Sequence, residues 1–270
     1  CRHTQAKYNF VPGQNFGSLE QKPGFSTDTH PVVKIWIKFN CITKVVNALN
    51  GGAIYAGGAS TLTISSSNLK LSNASAGGAL YVEKDTQVHI FRSTVELNRA
   101  QFGAGVSFVL SSRGNITESI LQRNQAQYDG GGAYIEDAKI TMSRVQFTRN
   151  LAEARAGGVY VDKGGIFTAV GNTFKENAAR GEGGAVYMGH NARGNLKGCN
   201  FVGNWAKESA GAVFITATKD VTISDDREGG NLCSFVNNSV NNSETDTTGN
   251  GGAIEVARYG AGTVSGCEFS

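Results

Sequence analysis

The chain has 270 residues, of which 40% are hydrophobic and 17% are charged, and it carries a formal net charge of +3. With 36 glycines and three prolines, this composition is typical of a folded β protein and excludes a disordered or collagen-like chain. The weak, scattered positive charge argues against a nucleic-acid partner, and the lack of a long apolar run argues against insertion of this segment into a membrane.

The first 40 residues show no periodicity and are predicted to form an N-terminal cap over the repeats that follow. The segment from Pro31 to Phe39 is rich in β-branched and aromatic residues, which predicts a strand. A cap at this end would cover the first repeat of a stacked array. Cys1 and Cys41 are candidates for a disulfide across this cap.

From residue 41 to residue 270 the sequence is organised by a repeat of 26 or 27 residues. Each repeat carries an anchor phrase, Gly-Gly-Ala-aliphatic-Tyr, and a second phrase, bulky apolar-x-x-Asn-x-small, lies between anchors. Two independent phrases with one period indicate that the repeat is the structural unit. The third anchor position is occupied by Ala53, Ala79, Gly105, Gly132, Gly158, Ala185, Ala212 and Ala253, and the recurrent asparagines are Asn98, Asn124, Asn150, Asn177, Asn204 and Asn238.

This period predicts an all-β fold, a right-handed parallel β-helix of the pectin-lyase-like kind with about eight coils. Strand-like runs of four to six residues cannot bury a face alone and must stack on their neighbours. Apolar residues alternate within each anchor, as expected for a half-buried strand. A coil of this length fits three short strands, and no six-residue or calcium-binding nonapeptide rhythm is present.

The recurrent asparagine is predicted to form a ladder at a corner of the helix. Stacked amides can hydrogen-bond from coil to coil, and asparagine tolerates the left-handed backbone of a sharp bend. The last two anchors, 41 residues apart, imply two side loops at about residues 216–232 and 239–250. The sequence stops in the middle of a bulky-x-x-Asn phrase, so we expect the solenoid to be truncated at its C-terminus.

Cysteines and sequons favour an extracellular location. Cys199, Cys233 and Cys267 each precede a phenylalanine by two residues at intervals of 34, so they should stack in adjacent coils, either as buried thiols or with a disulfide. The sequence Asn-x-Ser/Thr marks glycosylation sites in a secreted eukaryotic protein. It occurs here at Asn73, Asn115, Asn237 and Asn241.

The paired phrases resemble those of the polymorphic outer membrane proteins first recognised in chlamydiae. The resemblance covers about residues 47 to 270 and is carried by Gly51-Gly52-Ala53-Ile54, Gly77-Gly78-Ala79-Leu80, Gly183-Gly184-Ala185-Val186 and Gly251-Gly252-Ala253-Ile254, with Phe147/Asn150, Phe174/Asn177, Phe201/Asn204 and Phe235/Asn238. It implies a β-helical segment displayed on a cell surface and used in adhesion.

The candidate binding face is an aromatic column on the outer side of the anchor strands. Tyrosine supplies a large amphipathic surface for a glycan or a protein, although the same rings could simply stabilise the sheet by stacking. The column contains Tyr55, Tyr81, Tyr134, Tyr160, Tyr187 and Phe214.

Catalysis is not predicted, because the acidic residues lack a recognisable pattern. Glu83, Glu136 and Asp162 follow the anchors but are explained by surface charge at strand ends. Asp225 and Asp226 lack the Gly-His-Gly and Arg-x-Lys partners of polygalacturonase-like enzymes. They could hold calcium, although a solvated loop explains them more simply. No histidine has metal-ligand spacing, and no cofactor is predicted.

We therefore expect an extracellular or cell-surface rod that is not an enzyme. Two roles fit: an adhesin that contacts a cell-surface protein or glycan, and a filament subunit that stacks head to tail on itself through its unpaired ends. The alternative from another class is a carbohydrate-active β-helix that binds or cleaves an acidic polysaccharide along one face.

Overall fold

The computed structural model describes residues 34–37, 42–43, 48–240 and 251–270. The predicted cap up to residue 33, both Cys1 and Cys41, and the sequon at Asn241 lie outside these residues. Within them, every strand pair of the sheets is parallel and joins positions one repeat apart. The chain is therefore a stack of coils, a parallel β-helix, as the period predicted.

Each full coil contributes one strand to each of four sheets, which we call A to D in chain order. Sheet A consists of Lys34–Ile37, Thr61–Ser65, Gln87–Phe91, Arg113–Thr117, Lys139–Ser143, Ile166–Val170, Arg193–Lys197, Asp220–Ser224 and Gly262–Ser265. Sheet B consists of Ile42–Thr43, Asn68–Lys70, Thr94–Glu96, Ile120–Gln122, Gln146–Thr148, Thr173–Lys175, Asn200–Val202, Cys233–Val236 and Cys267–Phe269.

The other two sheets complete each coil and contain the shorter strands. Sheet C consists of Ala48–Asn50, Asn73–Ala76, Arg99–Phe102, Gln125–Ala126, Leu151–Ala152, Ala178–Ala179, Trp205–Ala206 and Ser239–Val240. Sheet D holds the eight anchors and consists of Ile54–Ala56, Leu80–Val82, Val106–Phe108, Ala133–Glu136, Val159–Asp162, Val186–Met188, Val213–Ile215 and Ile254–Val256. The described residues contain no helix that is long and apolar enough to cross a membrane.

The prediction of three strands per coil is wrong, because each coil turns four corners. In one coil the corners lie at Arg92, Leu97, Gly103 and Leu110, and each of these residues has a positive φ, between 45° and 59°. The recurrent asparagine was predicted to take the left-handed conformation, and this is wrong. The residue immediately before it takes that conformation, as Leu97 does before Asn98. Asn98 instead uses its side chain to hold the bend.

The two glycines of the anchor have different reasons to be small. Gly183 has a φ of +68°, which suits glycine at the corner between sheets C and D. Gly184 packs against the next coil so closely that a Cβ there would lie 2.2 Å from the carbonyl oxygen of Gly211. The first glycine therefore makes the bend, and the second allows the coils to approach.

The interior is a continuous apolar column built from the inward positions of sheets A, B and D. Val106 and Phe108 in one anchor strand are completely buried, as the alternation predicted. In sheet B, five phenylalanine rings stack along the axis with centroids 4.6–4.9 Å apart and nearly parallel planes. They are Phe147, Phe174, Phe201, Phe235 and Phe269.

The predicted asparagine ladder is present and buried at the corner between sheets B and C. Asn124 is representative: its Nδ2 donates to Asn150 Oδ1 at 3.0 Å and to the Val95 carbonyl at 3.0 Å. Its Oδ1 accepts from both the backbone N–H and the Nδ2 of Asn98. The ladder continues to Asn238, and each side chain within it joins its own coil to the coils on both sides and also satisfies a corner carbonyl.

The three late cysteines lie in one column at the corner between sheets A and B, as their spacing predicted. Cys233 and Cys267 are register partners with Cα atoms 4.6 Å apart, and they form a disulfide. Cys199 is a buried free thiol one coil earlier, and burial raises its pKa to about 12. The sequence left open whether these cysteines are buried thiols or form a disulfide. Cys199 is a buried thiol, and Cys233 and Cys267 form the disulfide.

Two predicted boundaries change. The strand Lys34–Ile37 pairs with Thr61–Ser65 in sheet A, so the ladder begins inside the segment that was predicted to be a cap. The first side loop is shorter than expected, because residues 220–224 form a regular strand of sheet A. The loop occupies residues 225–232 and is closed by Asp226 and Asn231, whose backbones exchange two hydrogen bonds.

Candidate functional site

The predicted aromatic column is formed on the outer face of sheet D. Tyr134, Tyr160 and Tyr187 stack with centroids 5.0 Å apart, and Phe214 continues the stack at 5.4 Å. Tyr55 and Tyr81 form a second stack at 5.8 Å, and Ser107 separates the two groups. Equivalent positions of successive repeats are therefore spatial neighbours.

This column is largely covered, and the expectation of an open binding face is wrong for most of its rings. Tyr160 is 2% exposed, and Tyr81, Tyr187 and Phe214 are also buried. Ala156 and Ala210, at the corner between sheets C and D, pack against the rings. Tyr55 and Tyr134 remain half-buried. The column is thus a second, smaller core outside the coil. This agrees with the alternative that the rings stabilise the sheet by stacking.

Arg155 covers part of this second core. Its guanidinium lies 4.8 Å from the centroid of the Tyr160 ring and 4.9 Å from that of Tyr187, within the range of a cation–π interaction. It also makes a two-point ion pair with the buried carboxylate of Asp129, at 3.0 and 2.9 Å. Arg155 therefore closes the column from outside while its charge is compensated.

The hydroxyl groups of the column bind the carboxylates that follow the anchors. Tyr55 donates to Glu83, Tyr134 donates to Glu136, and Tyr160 donates to Asp162 Oδ2 at 2.9 Å. Burial raises the pKa of Tyr55 to about 12, so this phenol keeps its proton. These carboxylates, which were predicted to be ordinary surface charges, are each hydrogen-bonded to a tyrosine of the column.

Lysines form ion pairs with two of these carboxylates. Lys84 pairs with Glu83 at 3.1 Å, and Lys163 pairs with Glu136 at 2.7 Å. Burial raises the pKa of Glu83, but the hydrogen bonds from Tyr55 and Lys84 outweigh this effect and leave the pKa below its ordinary value. Asp162 Oδ1 is buried and has no hydrogen-bond partner within the described part of the chain. Most of the carboxylate oxygens on this face are thus already engaged within the protein.

A column of alternating charge at the corner between sheets C and D was not found from the sequence. Asp129, Arg155 and Glu182 occupy successive coils immediately before the first residue of each anchor. The backbone N–H of Gly130 donates to the Arg155 carbonyl, and that of Ala156 donates to the Glu182 carbonyl. Reading that one position across the repeats would have revealed the alternation. Burial, followed by the neighbouring Glu208, raises the pKa of Glu182 above its ordinary value of 4.5.

Replacing Glu182 by glutamine is expected to stabilise the protein near neutral pH only. The folded chain binds the proton of Glu182 more tightly than the unfolded chain, so protonation of Glu182 stabilises the fold. This stabilisation is fully present below the unfolded pKa and is lost as pH rises through the raised folded pKa. Urea unfolding midpoints should therefore be higher for Glu182→Gln at about pH 7.5 and equal to those of the parent at about pH 4. A pH-independent difference would contradict the assignment; Glu228→Gln, in the exposed side loop, is the control.

Sequence reasoning missed an open groove on the outer face of sheet C. It has a volume of about 640 Å³ and follows the first strands of that sheet. Arg99, Gln101 and Gln127 are exposed in it, and Gln125 is half-buried. Its remaining lining is Ala48, Leu49, Asn73, Ala74, Ser75, Ala100 and Glu153.

Two aromatic rings at the corner between sheets C and D belong to residues that directly follow lining glutamines, and we call this pair the aromatic edge. Phe102 follows Gln101 and Tyr128 follows Gln127, and their rings stack with centroids 5.2 Å apart. Phe102 also contacts Tyr134 of the covered column at 5.6 Å. Tyr128 is 44% exposed. The lining itself contains seven polar or charged residues and four apolar ones, and the aromatic edge adjoins it in sequence.

The other predicted sites are scattered. The described sequons, Asn73, Asn115 and Asn237, are exposed, and Asn73 lines the groove. In the first side loop, Asp225 pairs with Arg227 at 2.7 Å, and Asp226 accepts from Gly229 and Asn231. Among the described residues, no three histidine, cysteine or acidic side chains lie together as metal ligands.

Comparison with known proteins identifies the family. No curated protein and no solved structure matches the chain. The family model described as "right handed beta helix region" matches residues 37–174, which is just over half of the chain. This range covers the first coils of all four sheets and the whole of the groove described above. The chain belongs to the right-handed β-helix family.

Proposed function

We propose that the chain is a cell-surface or extracellular rod that acts as an adhesin and makes contact through the groove of sheet C. The observation that carries this proposal is a set of exposed hydrogen-bonding side chains, Arg99, Gln101 and Gln127, that line one groove. The resemblance to polymorphic outer membrane proteins and the exposed sequons support a surface location. We propose no catalytic step.

The groove is held rigid, which favours recognition. Arg99 pairs with Asn73 on one side and with Gln125 on the other through the parallel ladder of sheet C. The asparagine ladder beside it fixes the corner where these strands begin. Because little backbone order remains to be lost on binding, even modest contacts contribute to affinity.

An adhesion assay with charge variants tests this role. Beads coated with the chain would be applied to cultured epithelial monolayers, and bound beads would be counted after washing. We expect Gln101→Glu/Gln127→Glu to abolish most of the adhesion, because both side chains lie in the groove. The control Gln87→Glu/Gln146→Glu adds the same charge at exposed glutamines of sheets A and B and should adhere normally.

Three results would count against an adhesin that uses this groove. These are a parent chain that retains no beads, two variant pairs that both adhere like the parent, and two variant pairs that lose adhesion equally. Thermal unfolding followed by circular dichroism would show that each pair is folded, since exposed substitutions of this kind usually change stability by less than about 0.5 kcal/mol.

A filament subunit is the second candidate within the same class. In this candidate a second molecule would stack on the last described coil, where Val256, Val264 and Phe269 are 39–56% exposed. A second molecule stacked on these residues would bury them. If that contact forms, electron microscopy of the chain at high concentration should show end-to-end rods, and Val264→Lys/Phe269→Lys should leave single rods.

The cleavage of an acidic polysaccharide is the candidate from another class. Glu136 and Asp162 are register partners on adjacent coils with Lys163 beside them, and no described residue hydrogen-bonds to Asp162 Oδ1. Two neighbouring carboxyl groups can act as acid and base in glycoside cleavage. The release of reducing ends from polygalacturonate by the chain, and its loss in Glu136→Gln, would favour this candidate over the adhesin.

A further inference from the structure

We propose that the groove of sheet C binds an acidic oligosaccharide that lies along the axis of the rod, with its carboxylate on Arg99. This inference rests on the proposed role in adhesion and adds the chemical class of the partner. It also moves the recognition of glycans away from the aromatic column of sheet D, which is covered by Arg155 and the corner residues.

The charge in the groove favours an anion. Arg99 and Glu153 are the two charged residues of its lining. Glu153 forms an ion pair with Arg180, whereas Arg99 is exposed and has no ion-pair partner among the described residues. The guanidinium therefore remains available, and its planar fork matches a carboxylate with two parallel hydrogen bonds.

The amides favour a partner rich in hydroxyl groups. Gln101 and Gln127 occupy the same outward position on successive coils, and Gln125 lies next to Arg99 in the neighbouring strand. Each amide offers two donors and an oxygen acceptor, as an array of sugar hydroxyls requires. Because these side chains repeat with the coil, they match an extended chain better than a compact ligand.

The aromatic edge supplies the apolar contact. Tyr128 is 44% exposed, and its ring stacks on that of Phe102, with the two ring centroids 5.2 Å apart. A rigid, half-exposed aromatic face beside hydrogen-bonding side chains offers a large contact area at little cost in conformational entropy. The apolar face of a sugar ring can pack there while its hydroxyls reach the amides of the floor.

Other macromolecules fit the groove less well. A peptide strand cannot extend sheet C, because the groove lies over the face of the sheet and the ladder groups of the strand that begins at Arg99 are already paired on both sides. Nucleic acid binding needs several phosphate contacts, and among the described lining residues only Arg99 is a cation without an ion-pair partner. An acidic glycan uses the single charge, the amides and the aromatic edge together.

Asn73 decides how the test must be made. This residue is a sequon and lines the groove, so a glycan attached to it would cover the site. The chain should therefore be produced in a bacterial host that adds no N-glycan. The probe is an array of defined oligosaccharides in which chains with uronic or sialic acids are paired with their neutral counterparts, in buffer without divalent cations.

We expect the parent chain to bind acidic members of the array, and Arg99→Gln to weaken that binding by about tenfold or more through the loss of a charge-assisted pair. The control Arg113→Gln removes another exposed arginine that has no ion-pair partner among the described residues, on sheet A of the next coil, and should bind like the parent. Tyr128→Ala should weaken the binding of acidic and neutral chains together.

The outcomes separate this inference from the role on which it rests. If no glycan binds but coated beads still adhere to cells, the ligand class is wrong and the adhesin remains. If acidic glycans bind equally to Arg99→Gln and to the parent, the groove is not their site. Binding that follows the neutral sugar and ignores the carboxylate would also overturn the role of Arg99. If the parent chain neither binds a glycan nor adheres to cells, both proposals are refuted.

Discussion

Replacing Asn124 by alanine should lower the free energy of unfolding by about 3–4 kcal/mol. The side chain is fully buried and takes part in four hydrogen bonds that join three successive coils. Alanine would leave the Asn98 backbone N–H and the Val95 carbonyl buried without these partners. Each such loss costs about 1–3 kcal/mol. Urea unfolding followed by circular dichroism would measure the change.

The matched control for this prediction is Asn115→Ala. Asn115 is exposed on sheet A, and its Oδ1 accepts a hydrogen bond from Thr117 at the surface. Its removal should cost less than about 0.5 kcal/mol. A comparable loss of stability in both variants would mean that the buried ladder contributes no more than a surface amide. Because coils contact their neighbours only, two spectroscopic probes should be compared to detect partial unfolding.

Replacing Phe174 by alanine should cost about 3–5 kcal/mol, the usual range for a buried aromatic side chain. Its ring is completely buried and lies between Phe147 and Phe201, with both centroids 4.9 Å away. Removal would leave a cavity in the centre of the stack. Closure of that cavity is restricted, because the backbone on either side is paired in the parallel ladder.

The same stack provides the comparison for this prediction. Phe269 lies at the end of the column, is 56% exposed and contacts a ring on one side, Phe235. Phe269→Ala should therefore cost clearly less than Phe174→Ala, and Phe174→Leu should fall between them because it restores part of the volume. Equal losses at both phenylalanines would show that burial between two coils does not set the cost.

Features that repeat with the coil could be predicted from the sequence. The positions of Phe174 and Asn124 in their columns follow from the period alone, because parallel stacking places each residue beside its equivalents. The stacking of Cys199 with Cys233 and Cys267 follows from the same rule. Parallel register thus converts a sequence interval into a spatial contact, and this step requires no knowledge of side-chain packing.

Features that depend on corner geometry could not be predicted in this way. The four-strand coil depends on left-handed residues such as Leu97 and Arg92, whose identities do not indicate that conformation. The burial of the tyrosine column depends on where Arg155 places its guanidinium, which is a packing choice outside the repeat pattern. In both cases the sequence identifies the neighbours but not their orientation.

The groove was missed for a different reason. One of its outward columns does not repeat in type: Asn73, Arg99, Gln125 and Leu151 follow one another along sheet C. A search for periodic residues passes over such a column, although variable outward positions on a constant scaffold are where recognition is often found. A comparison of outward columns by polarity would have marked this face.

The variable length of the repeat has a consequence for how such a molecule can change in size. The interval between equivalent residues is 27 from Val106 to Ala133 but 26 from Arg99 to Gln125 and from Arg113 to Lys139, so the additional residue enters and leaves at corners. Strand alignment is thereby protected from small insertions. Duplication or deletion of one entire coil would likewise preserve every column, and such an event would lengthen or shorten the molecule without redesigning its interior.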